Sequence, residues 1–188
     1  MFFQLPELAA LVWISAFAKK PDDLDSVIRE VQEEYPDVSV QFVDLDSVPG
    51  SRYLFLAVLN ALKSFRSKQP ISKRLSMEIL LYVSGSRQIT EAIRLVGISS
   101  RTKRIAVLSV GRIEKELSGI AAVLSRMLDQ TSSDALVDDW STARIENVLA
   151  LFQIGSKELK ATRRRKESRS QAVERLATER SALLTVRK

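Results

Sequence analysis

The stretch Leu75-Ser-Met-Glu-Ile-Leu-Leu-Tyr-Val-Ser-Gly-Ser-Arg-Gln-Ile-Thr-Glu-Ala-Ile-Arg-Leu-Val-Gly-Ile98 decides the reading of this chain. Its first half, Leu75 to Val83, is apolar nearly all round, as a short buried helix is, although composition alone also allows a strand. Ser84-Gly85 closes it. A second short helix is predicted from about Gln88 to Val96, with Ile89, Ala92, Ile93 and Val96 facing inward and Gly97 as its terminator. Within the buried half stands Glu78, and a buried carboxylate needs a cation or a donor. Arg87 or Arg94 could supply a structural ion pair between the two helices; a ligand-binding role for Glu78 is the other reading.

Outward from this centre, hydrophobic patterning predicts alternating helices and strands. Ile105 to Val110 is nearly continuously apolar and is the best candidate for a central strand. The apolar run Leu8 to Ala18 reads as a buried opening strand; it is too short to cross a bilayer, which takes roughly 20 helical residues. No positive charge precedes it, as a signal peptide would require; Lys19-Lys20 follow instead. Val38, Val40 and Phe42 alternate with polar residues, which predicts a half-buried strand. Helices are predicted after Pro21-Asp22-Asp23, from Ser51 to Ser67 behind Val48-Pro49-Gly50, along Ile113 to Leu128, and after Ser141 as a cap. The fold class is therefore α/β (α+β): a single compact domain over residues 1–154, with a small mixed sheet of three or four strands covered by helices. Residues 155–188 form a basic C-terminal helical extension whose large apolar residues are sparse, Leu159 being followed by none until Val173.

Among 188 residues there is no cysteine and no histidine. That removes thiolate nucleophiles, thiolate and imidazole metal ligands, disulfides, and the side chain best suited to proton transfer near neutral pH. Only six glycines are present, and none forms a phosphate-binding loop. Asp22-Asp23 and Asp138-Asp139 read as helix-start and loop acids. No cofactor, metal, membrane or small-molecule substrate is indicated, and the chain is expected to be a non-catalytic, cytoplasmic protein.

The net charge of +6 is unevenly placed: residues 155–188 hold eleven bases and four acids, while the preceding residues are close to neutral. The densest part is Arg163-Arg164-Arg165-Lys166. Such a run suits a solvated helix, an electrostatic contact with nucleic acid, or a membrane surface, and by itself names no ligand.

The quoted stretch, the preceding Asn60-Ala-Leu-Lys63-Ser-Phe65 and the strand ending at Val110 together resemble the kinase-binding subunit of the KEOPS complex. The resemblance is strong from Leu54 to Val110, follows in element order over 1–154, and is weak in the tail. It implies an accessory role. KEOPS installs a threonylcarbamoyl group on an adenosine beside the anticodon of certain tRNAs, using a transferase subunit and a small atypical kinase that works as an ATPase. Members of the family bind and modulate that kinase, and in archaeal relatives hold the single-stranded 3′ CCA end of tRNA. They carry no catalytic residues.

Holding an unpaired RNA end needs cations for the backbone and flat or apolar surfaces for the bases. On that reading Arg87 pairs or stacks, Gln88 reads a base edge, Lys63, Arg66 and Arg94 complete a basic rim, and Arg164 and Arg165 of the tail add phosphate contacts. A plain helix–helix turn is the alternative for Ser84 to Arg87. Leu149 and Phe152, with Leu176, Leu183 and Leu184 of the tail, are the expected apolar contacts to the kinase. The rival functional reading is a purely protein-binding regulatory subunit that makes no contact with RNA.

Overall fold

A computed structural model of the chain describes residues 1–67 and 70–186, with side chains as far as Ala182. Four strands, β1 (Phe2–Leu5), β2 (Ala10–Phe17), β3 (Ser39–Asp44) and β4 (Ile105–Gly111), form one sheet in the order β1-β2-β4-β3. Every neighbouring pair is antiparallel. The sheet is therefore not mixed, as the alternation of helices and strands had suggested. The reason is topological: β2 and β3 run parallel to each other, but β4 is inserted between them and opposes both. The predicted opening strand is also a hairpin, in which Pro6 to Leu8 make one short helical turn and Ala9 takes a left-handed conformation to reverse the chain.

Strand periodicity then sorts the core onto two faces. Val12, Ile14 and Ala16 of β2 pair with Val110, Leu108 and Ala106 of β4 and point to one side. Trp13, Phe17, Ile105 and Val107 point to the other. That second side is covered by α1 (Leu24–Glu34), which Asp23 starts by accepting from the Ser26 amide, and by α5 (Glu114–Leu128). Both faces of β4 are buried, which is why its sequence is a continuous apolar run.

The larger side holds α2 (Ser51–Arg66), α3 (Leu75–Ser84), α4 (Ile89–Val96), the single turn α6 (Asp134–Val137) and α7 (Thr142–Leu151). Two further helices, α8 (Ser156–Thr162) and α9 (Arg169–Val186), complete the described chain. Ala172, Val173, Leu176 and Ala177 of α9 are buried in the same core as α2, α3 and α7. The apolar face that looked discontinuous is completed by alanines, which let two helix backbones approach closely. The first half of α9 thus packs as part of the core.

The same packing places the expected apolar contacts to the kinase. Leu149, Phe152 and Leu176 are buried, Leu176 with only 4% of its surface exposed, and the Phe152 ring meets Tyr53 edge-on at 5.5 Å. They are core residues because α9 lies across α2, α3 and α7. The side chains of Leu183 and Leu184 lie outside the described residues.

Glu78 is fully buried, but its carboxylate accepts from the backbone amides of Ile71 (3.2 Å) and Ser72 (2.7 Å) instead of pairing with an arginine. It folds the preceding loop back over the start of α3, where amides already point outward and no cation is needed. Arg94, the expected partner, pairs instead with Glu91. The start of α2 is held in a related way. Asp138 accepts from the Ser51 amide at 2.7 Å, and Glu174 of α9 accepts from the Tyr53 amide at 3.1 Å. Among the described residues, no helix is long and apolar enough to cross a membrane.

Candidate nucleic-acid interface

The turn between α3 and α4 is built to be rigid. Gly85 ends α3 at φ +67°, a left-handed conformation that suits glycine, and the Ser86 amide reaches back to the Leu81 carbonyl at 3.2 Å. Ser84 Oγ accepts from the Ser86 amide, and Ser86 Oγ from the Gln88 amide, each at 3.1 Å. The Gln88 N–H is therefore occupied. Arg87 and Gln88 are both exposed on this fixed turn. They line a groove whose other wall is α9, through Arg180 and Ser181, with Leu95 and Leu151 also along it. Ser181 Oγ donates to the Tyr82 carbonyl at 2.9 Å, and Tyr53 Oη donates to the Val83 carbonyl at 2.7 Å, so the wall is tied to the end of α3.

Helix α4 departs from expectation in one respect that matters. Ala92 and Val96 are buried, but Ile89 and Ile93 are 41% and 49% exposed. The four residues do make one stripe at helical spacing, yet it is wider than the surface α4 meets, and its outer edge is left in solvent. Two isoleucines one turn apart thus stand uncovered beside Arg87, Gln88 and Arg94. Arg94 is exposed and bound by Glu91 through two hydrogen bonds, at 2.8 and 2.7 Å; this lowers the Glu91 carboxyl and raises the arginine. An exposed pair of this kind is screened by water and exchanges readily for another anion.

A second groove adjoins the first, sharing Leu95 and Leu151, and runs between α4 and α7. Its basic residues are Arg94, Arg101, Lys103, Arg104 and Arg144. Arg104 is bound by Asp46 and Asp139, while Thr102 Oγ1 donates to Asp44 at 3.1 Å. Burial raises the Asp44 carboxyl. Arg144 is fully buried. It donates to the carbonyls of Val48 (3.0 and 3.2 Å) and Asp139 (2.9 Å), and its guanidinium lies 4.9 Å from the Trp140 ring centre. Burial first, and then the neighbouring Arg104 charge, push it down to about 10.

The other expected cations are dispersed. Lys63 and Arg66 are exposed on the last turns of α2, where Arg66 binds the Glu7 carbonyl, and neither is among the described lining of these grooves. Arg164 and Arg165 line a separate depression with Arg52 and the first half of α9. There the basic run is partly answered from within. Arg175, and then the Arg164 amide, hold the Glu167 carboxyl down to about 2, and Arg169 and Arg180 pair with Glu146 and Glu158. Sequence reading missed Arg101, Lys103, Arg104 and Arg144. The first three were visible as a basic run just before the central strand; Arg144 gave no signal beyond its place on an amphipathic helix.

Residues 21–185 match the family model described as kinase binding protein CGI-121, so the match continues through the tail, where the sequence resemblance is weak. The chain is also 50% identical over 57 residues to the regulatory protein Cgi121 of Methanocaldococcus jannaschii, a stretch covering 30% of this chain and 37% of that relative. With a match running from before the first helix almost to the end of the last, this chain belongs to the kinase binding protein CGI-121 family.

Proposed function

We propose that this protein is a non-catalytic, kinase-binding regulatory subunit of a KEOPS-type assembly in the cytoplasm, and that it helps recruit tRNA through the 3′ CCA end. The kinase half is supported by membership of a family described as kinase binding. The RNA half is carried by one observation: Ile89 and Ile93 are exposed together on α4, next to Arg87, Gln88 and Arg94. Apolar side chains offer unstacked bases a surface, arginine guanidinium planes can stack or pair, and Gln88 presents both donor and acceptor to a base edge. The rigid turn at Gly85 fixes these groups relative to one another before any ligand arrives, which reduces the entropy lost on binding.

The test is binding of the purified chain to intact tRNA and to the same tRNA trimmed of its CCA end. Trimming is expected to weaken binding markedly, and Ile89→Ser with Ile93→Ser to abolish the difference. Equal binding of both RNAs would overturn the end-reading role. The same exposed isoleucines favour a second reading, a protein-only contact surface, since uncovered apolar pairs rimmed by charge also mark protein interfaces. In that case the double variant would lose the kinase and leave RNA binding unaltered.

A further inference from the structure

We infer that the groove between α4 and α7 holds the phosphodiester backbone of the RNA strand leading to the captured end, an inference that rests on the RNA half of the proposed function. The groove adjoins the one at the Ser84–Gln88 turn, since Leu95 and Leu151 line both, so a single strand can pass from Arg87 and Gln88 into it without leaving the surface. Its cations are of two kinds. Arg101 and Lys103 are exposed at its mouth, ready to meet phosphates as they arrive. Arg104 and Arg144 are fixed, the first by Asp46 and Asp139, the second by the carbonyls of Val48 and Asp139.

The balance of charge gives the class of ligand. The acids along the groove are already engaged, Asp46 by Arg104 and Asp44 by the Thr102 hydroxyl. Arg144 is buried and donates to the Val48 and Asp139 carbonyls, which leaves Arg101 and Lys103, with Arg94, as the exposed cations of the groove. Asn147, which also lines the groove, donates to the Asp46 carbonyl at 2.8 Å and holds the loop bearing that acid in place. Repeated anions joined by a flexible chain fit a row of fixed and mobile cations; nothing here reads a base, so contacts in the groove are independent of sequence.

The test uses the full chain, intact and CCA-trimmed tRNA, and salt titrations between roughly 50 and 200 mM. Arg101→Gln with Lys103→Gln removes two exposed charges and leaves the fold intact. Two lost single-strand phosphate contacts should make the slope of log affinity against log salt shallower by about 1.4, with the ratio of intact to trimmed affinity retained. Ile89→Ser with Ile93→Ser should do the reverse, erasing the ratio and keeping the slope. An unchanged slope in the glutamine variant overturns the groove while leaving end recognition standing. A shallower slope in the glutamine variant, beside a wild type that ignores trimming, supports the groove and overturns end recognition. Failure of the wild type to bind tRNA at all overturns both.

Discussion

Leu176→Ala separates two accounts of the tail, because a leucine held ready for a partner and a leucine in the core respond differently in the isolated chain. Leu176 is 96% removed from solvent, between α2, α3 and α7, in a cluster with Val173, Ala172 and Ala177 of α9. The substitution deletes three carbons. At about 0.8 kcal/mol for each buried carbon, the transfer loss is roughly 2.4 kcal/mol. The cavity left behind adds to that, and buried leucine truncations fall at about 2–5 kcal/mol. For a chain of this size each kcal/mol moves the melting temperature by roughly 2–4 °C, so a drop of about 4–20 °C is expected. The assay is urea unfolding of the isolated chain followed by far-UV circular dichroism, with the slope against denaturant compared between variants. Leu176→Met, which conserves volume, should cost less than about 1.5 kcal/mol. A loss below about 0.5 kcal/mol for Leu176→Ala, with an unchanged slope, would refute the placement of α9 in the core.

Three other predictions concern single groups. Glu78→Ala leaves the Ile71 and Ser72 amides without their acceptor, at roughly 1–3 kcal/mol each, whereas Glu78→Gln keeps one acceptor oxygen and should cost less; equal losses by calorimetry would mean the carboxylate is not a cap. Glu174 is raised by burial and then by Asp138, against the opposing Tyr53 amide and the charges of Arg52 and Arg144. Its proton therefore stabilises the fold fully below the unfolded value of about 4.3, and that increment is lost as pH rises through the folded one. Glu174→Gln should lack this fall in a pH series of unfolding midpoints, and an identical profile would count against it. Gly85→Ala forces a side chain into a left-handed conformation at a cost of about 1–2 kcal/mol, while Gly155→Ala, whose added carbon meets open space, should cost less; a reversed order of melting temperatures would contradict the turn geometry.

Much of this arrangement could be read from residue types. The alternation in β3, the apolar runs of β2 and β4, the apolar stripes of α1 and α5, and the glycines behind α3 and α4 each obey a local rule, and each element formed close to where that rule put it. What escaped was decided by contacts between distant segments. The tail counted as poor in apolar residues only because Ala172 and Ala177 were given no weight, although small residues are what a close helix crossing selects. Ile89 and Ile93 satisfied a helical stripe, but which edge of a stripe is covered depends on the neighbour, and α4 meets only part of its own. Glu78 announced a need for a partner without saying that two backbone amides would meet it. Of the candidate interface, Arg87 and Gln88 were legible from the turn that carries them and Arg94 from the helix that follows. The cations from Arg101 to Arg144 come together only once α7 packs on the turn Leu45 to Ser47 beside the start of β4.

The position of β4 sets the order in which the molecule can be made. A nascent chain that ends before Ile105 contains β2 and β3 but not the strand between them, so for about sixty residues after β3 emerges two apolar edges have no hydrogen-bonding partner. The first hairpin can close at once; the rest of the sheet cannot. Its completion waits on a segment far downstream, and the larger core waits longer still, until α9 closes over α2 and α7. The hydrophobic strands most exposed to misassociation are thus the ones released first, and the period of exposure is set by translation rate as much as by intrinsic folding speed.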